Sequence, residues 1–263
     1  PWTKIYYYQD LMLTRWADKK HKKQEQKVLQ QADSLITVGR NIKDELTGLG
    51  ADSIKVITNG YDEQDFEGMR NQAQDEKFSI VHTGNISRSK NQEIFWKAIS
   101  ELIISHEDFK KDIQIKLAGK MDRSVRNSIA FYQLDPYIEF YDYLDHHEVI
   151  KLQLEARVLL LLISNTPQAK GIVTGKIFEY LAAQRPILAI VHPEGEVADL
   201  IQNNGEGTIA GFDDLDKVKS SLLNYYHSYK AGKLKQAKTS CRQFSRKELT
   251  RKLAREFDRM DGI

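Results

Sequence analysis

The sequence predicts an α/β fold, a Rossmann-like parallel sheet with helices on both faces, and three observations lead there. Strand-length apolar runs alternate with longer helix-periodic stretches over most of the chain. Several runs, such as Val158-Leu159-Leu160-Leu161-Leu162-Ile163, are apolar without alternation, the pattern of strands covered on both faces. The 263 residues, 41% of them hydrophobic, suffice for one full α/β core and leave a remainder too small for a second.

In chain order, the first feature is a basic run, Lys19-Lys20-His21-Lys22-Lys23, beside Trp16. It reads as a solvated helix face, or as a contact for anionic lipid head groups. Strands follow at residues 34–38 and 54–57, and Asn59-Gly60 marks a turn. Residues 69–77 are polar without apolar periodicity, so they read as a linker between an appendage, residues 1–68, and a main domain, residues 78–245. That domain opens with a strand at 78–82 and a helix at 91–104, whose Ile94, Phe95, Ala98, Ile99, Leu102 and Ile103 form one stripe. Further strands are expected at 113–118, 138–141, 158–163, 187–191 and 208–210. A charged helix at 245–260, with Leu249, Leu253 and Phe257 on one side, ends the chain as a crossing helix. The sequence opens at Pro1 in a pattern already mid-domain, as a piece of a longer protein would.

Composition narrows the function. The 39 basic and 37 acidic side chains nearly cancel, which argues against a nucleic-acid partner, since that needs a clustered positive field. The one cysteine, Cys241, has no partner for an internal disulfide and suits a reducing, cytoplasmic setting. No apolar run approaches the roughly 20 residues of a spanning helix.

Two segments carry chemistry. In Val173-Thr174-Gly175-Lys176-Ile177-Phe178-Glu179, Thr174 suits an N-cap and Gly175 lets a ligand approach the backbone. Lys176 and Glu179 then fall on one helix face. Free N–H groups and a lysine at a helix start suit a diphosphate, and a carboxylate one turn on suits ribose hydroxyls. The plainer alternative is a surface Lys/Glu pair. A nucleotide-triphosphate loop is excluded, because Lys170 stands where an upstream glycine is required and Ile177 where a magnesium-binding hydroxyl is required. The second segment, Thr83-Gly84-Asn85-Ile86-Ser87-Arg88-Ser89-Lys90, sets a glycine turn and two cations between strand and helix, at the carboxyl edge where such sheets bind ligands.

With these residues in view, the chain resembles the retaining glycosyltransferases of family 4 and their GT-B relatives, over about residues 30–210. The resemblance rests on Gln31 to Val38 with Asn59-Gly60-Tyr61-Asp62-Glu63-Gln64-Asp65-Phe66, on Gly84 to Lys90, on Leu117-Ala118-Gly119 and on Lys176 to Pro186. It implies the donor-binding half of the fold with a remnant of the first, acceptor-side domain. It also implies a nucleoside-diphosphate sugar whose diphosphate meets Arg88, Lys90, Thr174, Gly175 and Lys176. The backbone of Gly84 and Asn85 would serve as phosphate loop, Glu179 would hold the ribose, and Tyr141, Tyr143 and Leu144 would flank the base. The implied acceptor is a glycan or a lipid-linked acceptor, with no cofactor and no metal, and the basic run Lys19 to Lys23 adds a peripheral place at the inner, cytoplasmic face of a membrane. Polysaccharide biosynthesis and hexosyl transfer follow from the same resemblance. Because the acceptor side of the fold belongs to the first domain in cis, this chain by itself is expected to bind donor without turning it over.

Two departures stand out: Gly171 occupies the place of the family's usual sugar-binding glutamate, and Asn85 that of its common phosphate-loop arginine, for which Arg88 is the substitute cation. The Asp214-Leu215-Asp216 triplet reads as a helix start, and His146 and His147 as cap and surface residues rather than catalytic groups. Competing readings are a nucleotide-sugar epimerase of the same fold and a non-catalytic phosphate-binding α/β module.

Overall fold

The structure, a computed structural model, describes residues 2–4, 8, 11–69, 72–205, 207–234 and 241–260. Two compact units make up the chain: Pro1–Gly60 with Gln243–Ile263, and Tyr61–Arg242.

The first unit begins with α1 (Arg15–Gln31), whose Thr14 hydroxyl accepts from the Ala17 N–H at 3.3 Å, a side-chain cap for a helix that is otherwise almost wholly polar. The basic run lies on this helix, with Lys20 over the exposed Trp16 ring at 5.3 Å. Next, β1 (Leu35–Thr37) pairs in parallel with β2 (Ile54–Val56), and α2 (Arg40–Gly48) is the crossover a parallel pair requires. Leu29, Leu46, Ala51 and Ile54 close a small core beneath them.

The second unit runs β3 (Phe78–Thr83), α3 (Glu93–Ser105), α4 (Glu107–Asp112), β4 (Ile113–Ala118), α5 (Arg123–Phe131), β5 (Ile138–Tyr141), α6 (His146–Glu155), β6 (Val158–Leu162), α7 (Lys176–Ala183), β7 (Ile187–Ile190), α8 (Glu196–Asn204), β8 (Gly207–Ala210) and α9 (Leu215–Lys230). Its six strands are all parallel, in the order β5-β4-β3-β6-β7-β8. All residues of β3, β6 and β7 are buried, as the unbroken apolar runs of β6 and β7 predict and with Ser79, His82 and Thr83 of β3 buried as well, while β5 at the edge is only half-buried. Helices α3, α4, α5 and α9 form one contacting group and α6, α7 and α8 another, so the sheet carries two helical layers. The order turns back between β3 and β6, and in such sheets a crevice opens outside the carboxyl ends at that reversal.

The predicted strands all form, with ends shifted by a residue or so. On α3, Phe95, Ala98, Ile99 and Leu102 are fully buried and Ile94 and Ile103 partly so. Trp96 is buried as well, its indole N–H satisfied by Asn91 Oδ1 at 2.8 Å. Asp214 caps α9, accepting from the Lys217 N–H at 3.0 Å, as the acidic triplet predicts.

Two expectations need correction, one on the polar linker and one on the histidines at the start of α6. The polar residues 72–77 are strapped to the second unit rather than free: Lys116 pairs with Asp75 at 2.6 Å, the Asp75 N–H donates to Glu155 O at 2.9 Å, and Arg157 Nη1 donates to Gln74 Oε1 at 2.8 Å. Polarity in this segment serves pairing with buried groups, and the division of the chain falls instead at Gly60. Beyond it, Tyr61 and Phe66 are buried edge to face, 5.6 Å between centroids, within the second unit. The last helix, α10 (Arg246–Met260), belongs to the first unit, where Glu256 pairs with Lys55 at 3.5 Å. Its apolar stripe fades along its length, from buried Leu249 through half-buried Leu253 to exposed Phe257. Finally, α6 is capped by Asp145 in a capping box with Glu148, so neither histidine is the cap; His146 meets Asp65 at 2.9 Å. Among the described residues no helix is long and apolar enough to cross a membrane.

Candidate functional site

The carboxyl ends of β3, β4 and β5 are stitched together by loop backbone. The Gly84 N–H donates to Ala118 O at 2.6 Å and the Gly119 N–H to Tyr141 O at 2.9 Å. Both glycines have positive φ, +98° and +118°, and they touch back to back: a Cβ on Gly119 would lie 2.8 Å from the Gly84 carbonyl carbon. Asn85 uses its side-chain oxygen to accept from the Lys120 N–H at 2.9 Å, and Ile86 bridges to Met121. These contacts fix the two loops as one wall.

The opposite wall is the start of α7. Lys176, its first residue, places Nζ against Gly84, where a Cβ would come within 2.6 Å of it. The same Nζ lies 3.5 Å from His82 Nε2. His82, the penultimate residue of β3, is fully buried, with Nδ1 2.8 Å from Leu160 O. A carbonyl only accepts, so Nδ1 carries the proton and Nε2 offers a lone pair to the lysine. Burial, then the charge of Lys176, hold His82 well below the usual histidine range and hence neutral. Burial foremost, with Lys90 adding to it and Glu179 opposing, lowers the Lys176 ammonium to about 8. Lys90 and Lys176 therefore act within one field.

Glu179, one turn along α7, accepts at Oε2 from Gln153 Nε2 at 2.9 Å. Behind them, Gln153 Nε2 also reaches Thr83 Oγ1 at 3.1 Å, and the Thr83 N–H donates to the Tyr180 hydroxyl at 3.1 Å. Tyr180 is fully buried, which pushes its hydroxyl up to about 12 and keeps it protonated.

Thr174 is not the N-cap. Gly175 holds that position with helical backbone, φ −57° and ψ −29°, and it is the Thr174 carbonyl that takes the Ile177 N–H, at 3.3 Å. A side-chain cap needs an extended residue just before the first turn, and here the chain is already wound. The Thr174 hydroxyl is left buried without a hydrogen-bond partner among the described residues. At Gly175 an added Cβ would meet open space, so the start of α7 is accessible to a ligand.

Beside Gly84 opens a cavity of about 510 Å³ whose lining includes Asn85, Lys120, Arg126, Tyr143 and Leu144. Tyr143 and Leu144 both face this cavity. Tyr141 is absent from the lining: its hydroxyl donates to Glu139 at 2.6 Å, and burial together with that carboxylate raises its pKa. Strand alternation turns the residue to the Glu139 side. Arg88 is exposed; the Asp122 carboxyl, lowered chiefly by Ser124, also feels its charge. Gly171 ends a short 3-10 turn, Ala169–Gly171.

Three residues at the site carry no signal that periodicity isolates. Arg126 lies on the exposed face of α5 and stacks 4.4 Å over Phe140. Gln153 sits among core positions of α6, and His82 is marked only as a polar residue near the end of β3.

The family described as glycosyl transferases group 1 matches residues 77–228. No curated protein is similar enough in sequence to be matched. Among solved structures, a glycosyltransferase from Rickettsia africae ESF-5 superposes with a TM-score of 0.70 at 17% identity, over 92% of this chain and 67% of that one. Anabaena HepE, in complex with UDP and glucose, gives 0.66 at 15% identity, over 88% and 64%. Sucrose-phosphate synthase from Thermosynechococcus elongatus gives 0.64 at 16%, over 95% and 64%. The chain thus spans about two thirds of the length of these proteins, and the likeness is one of fold.

Proposed function

Because the chain belongs to the glycosyl transferases group 1 family, we propose that its Tyr61–Arg242 unit binds a nucleoside-diphosphate sugar, and that the protein containing it transfers the sugar to a glycan or lipid-linked acceptor with retention. One observation carries the reading: Lys176 Nζ, the open start of α7 and the positive-φ backbone of Gly84 meet at the sheet's reversal point. A pyrophosphate suits that meeting of cation and N–H groups. Glu179 then takes the ribose, and the base enters the cavity beside Tyr143 and Leu144. The complex of Anabaena HepE with UDP and glucose supports the choice of ligand class.

In this reading Lys176, Lys90 and the helix N–H groups stabilise the negative charge that grows on the diphosphate as the glycosidic bond breaks. No metal or cofactor is assigned. Gly171 offers no carboxylate to the sugar, so sugar hydroxyls are held by other groups. The exposed cations of α1 fit a peripheral contact with anionic lipid at the inner face of a membrane.

Calorimetric titration with UDP, GDP and ADP tests the proposal. One of the three should bind measurably, and Lys176→Ala and Lys90→Ala should each weaken it by roughly tenfold or more, the loss of one charge-assisted contact. Affinity indifferent to both substitutions would sink the reading.

A further inference from the structure

We propose that Gln153 is a positioning residue for Glu179, holding its carboxylate in the orientation from which it meets the ribose; the assignment rests on the donor-binding reading above. Gln153 is fully buried on α6, yet it has no structural partner for half of its amide. Nε2 donates to Glu179 Oε2 at 2.9 Å and to Thr83 Oγ1 at 3.1 Å, which accounts for both of its protons. Oε1 is buried with no partner among the described residues.

The amide has only one workable orientation. Turned over, it would set Oε1 against the Glu179 carboxylate, acceptor against acceptor, so Glu179 dictates that nitrogen faces it. Thr83 holds the amide from the other side and is itself held by Tyr180, whose hydroxyl also donates to Leu160 O at 3.4 Å. The carboxylate is thus reached through a buried chain of β3, α6 and α7 groups. Burying an amide with an idle oxygen is unfavourable, and an apolar side chain of equal length would avoid that cost. Packing therefore does not explain a glutamine here, whereas orientation of Glu179 does. With Oε2 taken by Gln153, Oε1 remains for the ligand.

The test compares the nucleoside diphosphate that binds the wild type best with its analogue lacking both ribose hydroxyls, and with inorganic pyrophosphate. The wild type should prefer the intact nucleotide by roughly tenfold or more, the worth of a charge-assisted bond to the ribose. Gln153→Met, which keeps length but loses both donors, should shrink that preference severalfold, leave pyrophosphate affinity unchanged and leave the thermal midpoint equal or higher. A folded Gln153→Met protein with wild-type preference overturns the positioning role and leaves donor binding intact. Failure of the wild type to bind any of the three nucleotides overturns both. Gln153→Glu, a same-sized polar side chain, gives a second readout. Two carboxylates then face one another and must share a proton, so ribose preference should be lost at pH 8 and return toward pH 5. A pH profile identical to wild type would refute the inference.

Discussion

At Lys176 folding and the proposed nucleotide binding make opposite demands on one ammonium group. Buried beside His82 and near Lys90, it is lowered from 10.5 to about 8, which corresponds to a cost of up to roughly 3 kcal/mol, less what water at its exposed side screens. Lys176→Met should therefore raise the thermal midpoint while weakening nucleotide binding. The unfolded chain holds this proton more tightly than the folded one, so wild-type stability climbs as pH rises from about 8 to 10.5. The advantage of Lys176→Met is then full below about pH 8 and disappears across that window. Thermal denaturation of both proteins from pH 7 to pH 10.5 checks it, and a midpoint lowered by the substitution would refute the cost. Helix spacing makes the placement of Lys176 and Glu179 one turn apart on α7 legible in the sequence. Spacing does not decide the cap: Thr174 is a residue type suited to capping, yet Gly175 with helical backbone holds the N-cap position.

The decisive element is the pair of glycine turns that end β3 and β4. Gly84→Ala forces a positive φ on a residue with a Cβ and pushes Lys176 Nζ aside, a flexible neighbour that can yield. We expect a loss of about 1–2 kcal/mol in stability and weaker nucleotide binding. Gly119→Ala meets the Gly84 backbone, which cannot yield without breaking the wall, so its loss should be larger, roughly 2 kcal/mol or more. Urea midpoints of the two variants decide the order, and equal or reversed losses would count against the back-to-back packing. The strands that carry these turns, Phe78-Ser79-Ile80-Val81-His82-Thr83 and Ile113-Gln114-Ile115-Lys116-Leu117-Ala118, are legible as short apolar-rich runs between helix-periodic stretches. The Gly84–Gly119 contact is not legible in the same way, because it joins loops 35 residues apart.

For the molecule as a whole, the two units differ in what they can support alone. Tyr61–Arg242 owns the six-stranded sheet and its large core, whereas the core cluster of the other unit has Leu29, Leu46, Ala51 and Ile54. Produced alone, Tyr61–Arg242 should unfold in one cooperative transition and keep wild-type nucleotide affinity. Circular dichroism on heating and a nucleotide titration test this, and a broad, non-cooperative melt would show that the sheet depends on the rest of the chain. The family match at residues 77–228 falls wholly within this unit. The boundary is not legible in the sequence because polar residues such as 72–77 look alike whether they face water or pair with Lys116 and Arg157.

By itself the sequence determined the parallel α/β class, the strands and the helix that sets Lys176 and Glu179 on one face, because these depend on periodicity, and periodicity is a local property of the chain. Tertiary structure alone decided that Lys176 leans on His82, that Gln153 grips Glu179, that Arg126 enters the cavity wall and that Tyr141 turns away from it. Each of those facts is a distance between groups far apart in sequence, and only packing brings such groups within reach of one another.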